Sequence, residues 1–267
     1  MSESITTEET EVAREQKAFE EAEVALIVGG GPGISASCAR LFTQEGMKVA
    51  VAARNLKKDV LQELEQTHGV LLVPCDASDA DSVAAMFQEV TKKLGAPRLV
   101  VHNIDGRVRE VFGKPITQVE PDHVLATLKN STFSAFLVGQ EAAKSMLAAE
   151  GRDSHRGTIL YTNASAAIKG FPRSGAFAAA SQGKAGLAQS MARELMPQGI
   201  HVAQIPIDAA IGVEQADGKR AHRLAGEAVD DNMAHPDHIA ELYLQLHRQH
   251  RSTWTFEVVL RPWTENW

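Results

Sequence analysis

Residues 24–35 read VALIVGGGPGIS, and this stretch decides the fold. The five apolar residues predict a short strand that is buried on both faces. The glycines allow the backbone to turn tightly and to approach a pyrophosphate, while the following helix N-terminus offers amide donors and the positive end of its dipole. Because strand, turn and helix occur together, the stretch predicts a dinucleotide-binding turn, with a merely structural turn as the alternative. The residues expected to contact the nucleotide here are Gly29, Gly31, Pro32, Gly33 and Ile34.

Beyond this turn, short β-branched runs alternate with stretches of helical period, which indicates βαβ units and a parallel sheet. We therefore predict an α/β protein with a doubly wound Rossmann fold, a seven-stranded parallel sheet and helices on both faces. Residues 208–235 break the rhythm and are predicted to form a mobile substrate lid. The predicted strands are 24–28, 48–53, 70–75, 98–103, 157–163, 201–207 and 254–260, and the predicted helices are 34–44, 56–67, 79–94, 121–149, 175–196 and 236–247.

The net charge of −7 is concentrated at the start of the chain. Residues 1–23 hold eight glutamates against Arg14 and Lys17, so the remaining chain is close to neutral. We predict an acidic extension over 1–23, either a solvated helix or disordered, and a single domain over 24–267. A neutral body argues against nucleic acid as a partner.

No apolar stretch approaches the roughly 20 residues that cross a bilayer, and the N-terminus lacks the pattern of a secretory signal. Two cysteines, Cys38 and Cys75, cannot form a disulfide framework and lie in apolar stretches that predict buried thiols. These features favour a cytoplasmic protein with no membrane partner.

The end of the second predicted strand bears on the choice of nucleotide. A dinucleotide fold often has a carboxylate there that binds the ribose 2′-hydroxyl. This chain has Ala53 followed by Arg54, with Lys57 and Lys58 further on. The basic residues suit a 2′-phosphate, so NADP(H) is favoured over NAD(H). A solvated, basic start of a helix is the alternative.

Three further segments add to the features of the turn and the second strand. Cys75-Asp76-Ala77-Ser78-Asp79 follows the third strand, Val101-His102-Asn103 ends the fourth, and Ala192-Arg193-Glu194-Leu195 is followed by Gly199-Ile200-His201-Val202. Over residues 24–267 the chain resembles the short-chain dehydrogenase/reductase family. The resemblance implies that Asp76, with Ala77 beside it, holds the adenine and that Asn103 lies along the cofactor. The pattern is incomplete, because Ser35 stands where the third glycine of the turn is expected and Pro32 replaces a residue that is often basic in NADP-binding members.

The same resemblance implies a catalytic tyrosine and, four residues later, a lysine that this chain does not have. The two positions fall on Phe177 and Ser181. A phenyl ring has no proton to give, and serine brings no cation. An alignment with a three-residue deletion would make Lys184 the lysine, but it places Ala180 at the tyrosine position. The resemblance also implies a catalytic asparagine on a helix. Its position falls on Ser131, next to Asn130, which puts that role in doubt.

Three residues are candidates for the missing chemistry. Ser165 lies at the position of the family's serine and is predicted either to donate its hydroxyl to a substrate or to be an ordinary turn residue. Asp105 follows the fourth strand and Asp208 the sixth, at the edge where such sheets bind ligands. We hypothesise that one of them acts as general acid or base, the alternative being that both only bond turn backbone. Histidine pairs 235/238 and 247/250 lack companion ligands and predict no metal site.

Two functions remain open at this stage. The first is an NADP(H)-dependent oxidoreductase that acts on a small-molecule carbonyl or alcohol through a non-standard site. The second is an inactive or non-redox member of the family, used for nucleotide sensing, partner assembly or a lyase-like step. In the family, the equivalents of helices 121–149 and 175–196 form the dimer face, so a homodimer or homotetramer is expected, with the aromatic C-terminal residues adding to its surface.

Overall fold

A computed structural model describes residues 22–149, 154–222 and 224–266, so most of the acidic extension lies outside the described residues. A six-stranded parallel sheet forms the centre, with strand order β3-β2-β1-β4-β5-β6. Its strands are β1 (Val24–Val28), β2 (Lys48–Ala53), β3 (Leu71–Pro74), β4 (Leu99–His102), β5 (Gly157–Ala164) and β6 (Ile200–Ile207). The doubly wound Rossmann fold predicted from the sequence is confirmed.

The helices cover both faces of this sheet. They are α1 (Ile34–Gln44), α2 (Asp59–His68), α3 (Ala80–Leu94), α4 (Pro121–Leu128), α5 (Ser134–Ala148), α6 (Gly175–Leu195) and α7 (Pro236–Arg248). Alternate residues of β1 enter two separate cores: Leu26 packs with residues of α3, α5 and α6, and Ile27 packs with residues of α1, α2 and α7. Because both faces are buried, the strand needs an unbroken apolar sequence.

The predicted seventh strand, 254–260, is wrong as a continuous strand. This segment forms only two isolated parallel bridges to β6, between Gln204 and Glu257 and between Ile207 and Leu260. Backbone hydrogen bonds form at both bridges, but Pro206 of β6 lies between the bridges. Proline has no amide N–H, so one bond of a regular ladder cannot form there.

The predicted single helix over 121–149 is also interrupted. Residues Lys129–Phe133 form a π-helical segment between α4 and α5. The Ser134 hydroxyl lies 2.6 Å from the Asn130 carbonyl oxygen and 3.0 Å from that of Ser131, so it bonds to the backbone of this segment. Single-turn π segments of this kind frequently occur at functional sites.

The segment predicted to form a lid has structure of its own. Within 208–235, a small antiparallel sheet contains β7 (Val213–Glu214), β8 (Arg220–His222) and β9 (Gly226–Glu227). Its N-terminal part lies against the glycine turn, since a Cβ added to Gly33 would meet Val213 at 3.4 Å and Ile211 at 3.8 Å. The small sheet therefore stands beside the predicted nucleotide site.

Candidate functional site

The glycine turn is held against the neighbouring strands. The amides of Gly29 and Gly30 both donate to the Ala52 carbonyl oxygen, at 2.9 and 3.1 Å. Gly29 has φ +111°, and a Cβ there would lie 2.3 Å from the Asn103 carbonyl oxygen. Only glycine combines this backbone conformation with such a close approach. Gly31, by contrast, faces open space.

Ser35, at the position where the family pattern has a third glycine, connects the turn to β4. Its hydroxyl donates to the Gly29 carbonyl oxygen at 2.7 Å. The Asn103 side-chain amide in turn donates to the Ser35 hydroxyl at 2.6 Å. This chain of bonds fixes the turn relative to the end of the fourth strand. Asn103 therefore supports the turn while lying along the groove.

A first cavity of about 390 Å³ opens on one side of the turn. Arg54 and Asp76 lie on its wall, and Arg54 forms no ion pair with any described residue. The Asp76 carboxylate accepts bonds from the backbone amide and the hydroxyl of Ser78, which lower its pKa. The Lys58 ammonium donates to the Gly30 carbonyl oxygen from the same wall. An exposed cation thus stands beside a neutral strand end and an ionised, anchored carboxylate.

A second cavity of about 520 Å³ opens on the other side of the turn. The two cavities share Gly29, Asn103, Ile104, Asp105 and Arg107, so they form one groove that crosses the turn. The second cavity is walled by β5, by α6 and by the lid segment. Its lining includes Gly31, Pro32, Gly33, Ile34, Phe177, Ser181, Lys184, Ile211, Val213 and His222.

A guanidinium group stands at the boundary of the two cavities. Arg107 lies over the Phe177 ring with its Cζ 3.8 Å from the ring centroid, and 4.5 Å from that of Phe112. Its Nε donates to both carboxylate oxygens of Asp105, at 2.8 and 2.9 Å. Its Nη2 lies 2.8 Å from Oδ2 of the same carboxylate, so the pair is bidentate. This pair and the aromatic stacking hold the cation in one orientation. Asp105 therefore positions Arg107 in the groove.

Lys184 is the buried cation of the second cavity. Its side chain is 2% exposed, and its Nζ donates to the carbonyl oxygens of Ile104 at 2.8 Å and Thr162 at 3.3 Å. Burial lowers its pKa from about 10.5 to about 8, and the negative charge of Asp105 partly opposes the shift. The ammonium therefore lies between the carboxyl ends of β4 and β5.

His102 at the end of β4 is fully buried and neutral. Burial lowers its pKa well below the ordinary value, and the charge of Lys184 adds to the shift. Its Nε2 lies 2.9 Å from the Ser134 hydroxyl, which itself donates to backbone carbonyls of the π segment. Nε2 is therefore the donor of this bond. The histidine joins β4 to the π segment and is a structural group.

The predicted site residues are brought together in part. Gly29, Gly31, Pro32, Gly33, Ile34, Arg54, Asp76, Ala77, Asn103 and Asp105 all line the groove. Ser165 follows the cavity residue Ala164, in the short 3₁₀ turn Ser165–Ala167, and lines neither cavity. Asp208 is 3% exposed, lines neither cavity, and has a carboxylate oxygen 2.7 Å from the Lys169 ammonium. This ion pair engages the Asp208 carboxylate away from the groove.

Two ionisable residues of the second cavity, Arg107 and His222, were not considered from the sequence. Their positions depend on contacts with distant parts of the chain. Lys184 was considered only as the family's lysine, through an alignment with a three-residue deletion.

No group of three or more potential metal-ligating side chains occurs among the described residues. In the same part of the chain, no helix has both the length and the apolar character needed to cross a membrane.

A glycine turn at the carboxyl edge of a parallel sheet, crossed by a two-lobed groove, defines a dinucleotide-binding protein of the Rossmann class. The chain belongs to the short-chain dehydrogenase/reductase family: the family model described as enoyl-(acyl carrier protein) reductase matches residues 29–260. The resemblance noted from the sequence is thus confirmed.

Solved and curated relatives agree with this assignment. The chain is 29% identical to a short-chain dehydrogenase from Rhodopseudomonas palustris, with a TM-score of 0.72 over 90% of this chain and 99% of that one. It is 30% identical over 215 residues to tropinone reductase-like 2 from Erythroxylum coca, covering 79% of this chain and 74% of the relative. A 3-oxoacyl-[acyl-carrier-protein] reductase from Bos taurus is 26% identical over 181 residues, which are 67% of this chain and 72% of the relative. The relatives are dehydrogenases and reductases, so the chain is a member of an oxidoreductase family.

Proposed function

We propose that this protein is an NADP(H)-dependent oxidoreductase that acts on a small carbonyl or alcohol through a non-standard active site. The observation that carries the proposal is the groove that runs without interruption from Arg54, across Gly29, to the cavity beside Phe177. Its residues fit the cofactor, because the glycine turn and the start of α1 line the groove, and Gly31 faces open space where a pyrophosphate can approach the backbone. When bound, the reduced nicotinamide supplies a hydride.

The preference for the 2′-phosphate rests on the first cavity. Arg54 is exposed on its wall without an ion pair among the described residues, and Ala53 leaves no carboxylate at the end of β2. A guanidinium matches a phosphate in charge and geometry, whereas a ribose hydroxyl prefers a carboxylate acceptor. Arg54 is therefore the residue that selects NADP(H) over NAD(H).

Calorimetric titration of the full chain with NADPH and NADH tests this proposal. Wild type binds both, with NADPH the tighter ligand. Arg54→Glu weakens NADPH binding by roughly tenfold or more, the loss of one charge-assisted contact, and leaves NADH binding nearly unchanged. Lys92→Glu is the matched control, because it makes the same change of charge at an exposed residue of α3 that lines neither cavity. Binding of neither nucleotide would refute the proposal.

The chemistry beside the nicotinamide differs from the family pattern. Phe177 and Ser181 line the second cavity, and neither carries a group that titrates near neutral pH. Asp105 serves here as the partner of Arg107, and Asp208 is left out because its ion pair with Lys169 lies away from the groove. Ser165 remains a candidate substrate donor, and Ser165→Ala tests it by a rise in KM at unchanged NADPH affinity.

Phe177 also favours the second candidate function, a non-catalytic nucleotide-binding protein. Its ring is covered by the Arg107 guanidinium, an arrangement that fills space without offering a proton. Tight NADPH binding together with no turnover on a panel of carbonyls and alcohols would support this candidate over the oxidoreductase.

A second copy of the chain is the proposed partner. Exposed Leu125, Phe133 and Phe136 form an apolar face with Leu187 across α4, α5 and α6, and the Phe133 and Phe136 rings are stacked. In the family, the equivalent helices form the dimer face. The expected aromatic surface at the C-terminus is reduced, since Trp254 and Phe256 are half-buried and Trp263 is exposed, while Trp267 lies outside the described residues.

Sedimentation measures this self-association. Phe136→Glu is expected to shift the protein towards monomer by burying an unpaired charge in the interface. Leu224→Glu is the control, because it also replaces an exposed apolar side chain by an acidic one, but in segment 208–235. It leaves the oligomer intact. Equal sedimentation of the two variants would exclude this face as the dimer interface.

The cytoplasmic location remains a prediction from the sequence.

A further inference from the structure

The described residues that line the second cavity include four ionisable side chains: Asp105, Arg107, Lys184 and His222. Asp105 and Arg107 are bonded to each other. His222 belongs to the lid, and its Nδ1 accepts the Leu224 backbone amide. Of these four, only Lys184 lies on α6, the helix that carries Phe177 and Ser181. Its ammonium donates to carbonyl oxygens near the ends of β4 and β5.

The bonding of the Lys184 ammonium leaves one hydrogen for a ligand. An ammonium has three N–H groups, and the carbonyl oxygens of Ile104 and Thr162 accept two of them. Among the described residues, no third acceptor is bonded to Nζ. Lys184 lines the cavity and is 2% exposed, so its ammonium is largely shielded from bulk water, and the third N–H is the one that we assign to a ligand in the cavity.

We propose that Lys184 is the proton donor of this protein, and that its Nζ transfers a proton to the substrate oxygen during carbonyl reduction. This assignment rests on the proposed function, and it gives Lys184 the task that the family resemblance assigns to a tyrosine. Lys184 lies two helical turns beyond Phe177, on the same helix. The lysine thus replaces the missing acid from a different position.

In the proposed reduction the carbonyl carbon gains a hydride, which a bound reduced nicotinamide would supply, and the C=O π electrons move to oxygen. The N–H bond of the Lys184 ammonium breaks, and the proton forms the alcohol O–H. Lys184 becomes a neutral amine, held by its bonds to the strand ends, and regains its proton from solvent after the product leaves. In the oxidation direction the amine accepts the proton.

The surroundings of Lys184 match this role. Burial brings its pKa to about 8, near the value at which a general acid is effective at neutral pH. The charged group that acts on Lys184 is Asp105, which favours the ammonium, and neutral His102 lies nearby. The other ionisable residues of the same cavity are Arg107 and His222. The buried Tyr161 is not an alternative acid, because burial raises its pKa and its hydroxyl donates to the Ala135 carbonyl oxygen.

Lys184→Arg tests the proposal, because arginine keeps a positive charge and N–H donors for both carbonyls but does not release its proton. If Lys184 is the acid, kcat for reduction falls at least about 100-fold, the low end for removal of a general acid, while NADPH affinity stays within about threefold. If the lysine only holds strands or charge, the arginine variant keeps its kcat, and the proposal is overturned. Lys93→Arg, an exposed lysine on α3, is the control that leaves activity unchanged.

Two further readouts do not depend on the arginine variant folding well. In wild type, the Lys184 Nζ resonance followed by NMR titrates near pH 8, and a value near 10.5 would overturn the assignment. In Lys184→Ala, added methylamine restores turnover in proportion to its concentration, and no restoration counts against the proposal. Failure of wild type to bind NADPH would refute the proposed function itself. Turnover in wild type with an active arginine variant would refute only the role of Lys184.

Discussion

Replacing Lys184 by methionine will change how the free energy of unfolding depends on pH. Methionine has a similar length and no charge, so it removes the buried ammonium while largely filling the same space. In the folded protein the pKa of Lys184 is about 8, whereas in the unfolded chain it returns to its ordinary value near 10.5. Between these pH values the unfolded chain holds a proton that the folded protein has released, so wild-type stability rises as pH increases.

The magnitude follows from the size of this pKa difference. Between pH 7 and pH 10, wild type should gain about 2 to 3 kcal/mol of unfolding free energy relative to Lys184→Met, because one pKa unit corresponds to about 1.4 kcal/mol. The conversion needs little reduction for solvent screening, since the side chain is 2% exposed. The remaining lysines and the tyrosines titrate in both proteins and cancel from the difference.

Urea unfolding followed by tryptophan fluorescence measures this difference at several pH values. The expected result is a gap between variant and wild type that changes steadily from pH 7 to pH 10, with wild type gaining. Parallel curves, within about 0.5 kcal/mol, would show that Lys184 is not buried as an ammonium with a lowered pKa. That result would also remove the electrostatic argument for its role as proton donor.

Three further outcomes are expected. Gly29→Ala should lower the free energy of unfolding by at least about 2 kcal/mol in urea unfolding, because its Cβ would lie 2.3 Å from a backbone oxygen at φ +111°. Gly31 faces open space, so Gly31→Ala should lower it by less than about 0.5 kcal/mol. Similar losses for the two variants would contradict the geometry of the turn. The hydrogen bond to His247 is the main cause that lowers the pKa of Glu23 to about 2. Between pH 5 and pH 2, wild type should therefore lose about 1 to 2 kcal/mol more unfolding free energy than Glu23→Gln, after allowance for a side chain that is 39% exposed. Equal losses in the two proteins would mean that Glu23 and His247 do not form the pair. The Cys38 and Cys75 thiols, whose pKa values are raised by burial, should resist a thiol reagent in the native protein and react after unfolding; rapid native modification of either would contradict the burial.

The fold could be predicted because its signals are local. The apolar run 24–28 and the helical period from residue 34 identify β1 and α1 with the boundaries that the structure has. These residues are buried on both faces of a sheet or on one side of a helix, and burial imposes a period that a sequence displays. The glycine turn could be recognised for the same reason.

The departures from prediction have causes that lie between distant residues. The π segment depends on a bond network that joins Ser134 to His102 on β4, 32 residues away in the chain. The predicted strand 254–260 is not continuous, because Pro206 on β6 has no amide N–H to donate to it. Neither interaction leaves a periodic signal.

The groove residues that follow strand ends could be predicted from the sequence, whereas the arrangement of ionisable side chains in the second cavity could not. Arg54, Asp76 and the glycines follow strand ends, and the carboxyl edge of a parallel sheet brings such positions together. The position of Lys184 depends on which face of α6 meets the sheet and on where a four-carbon side chain ends. The stacking of Arg107 on Phe177 joins residues far apart in the chain, so only the folded structure brings them together.

A crystal structure of the NADPH complex would show where the nucleotide lies relative to Gly29, Arg54 and Lys184. We expect the pyrophosphate over the glycine turn, the 2′-phosphate within bonding distance of the Arg54 guanidinium, and the nicotinamide in the second cavity beside Lys184. A nucleotide bound away from this groove, or a groove still empty at saturating NADPH, would contradict this expectation.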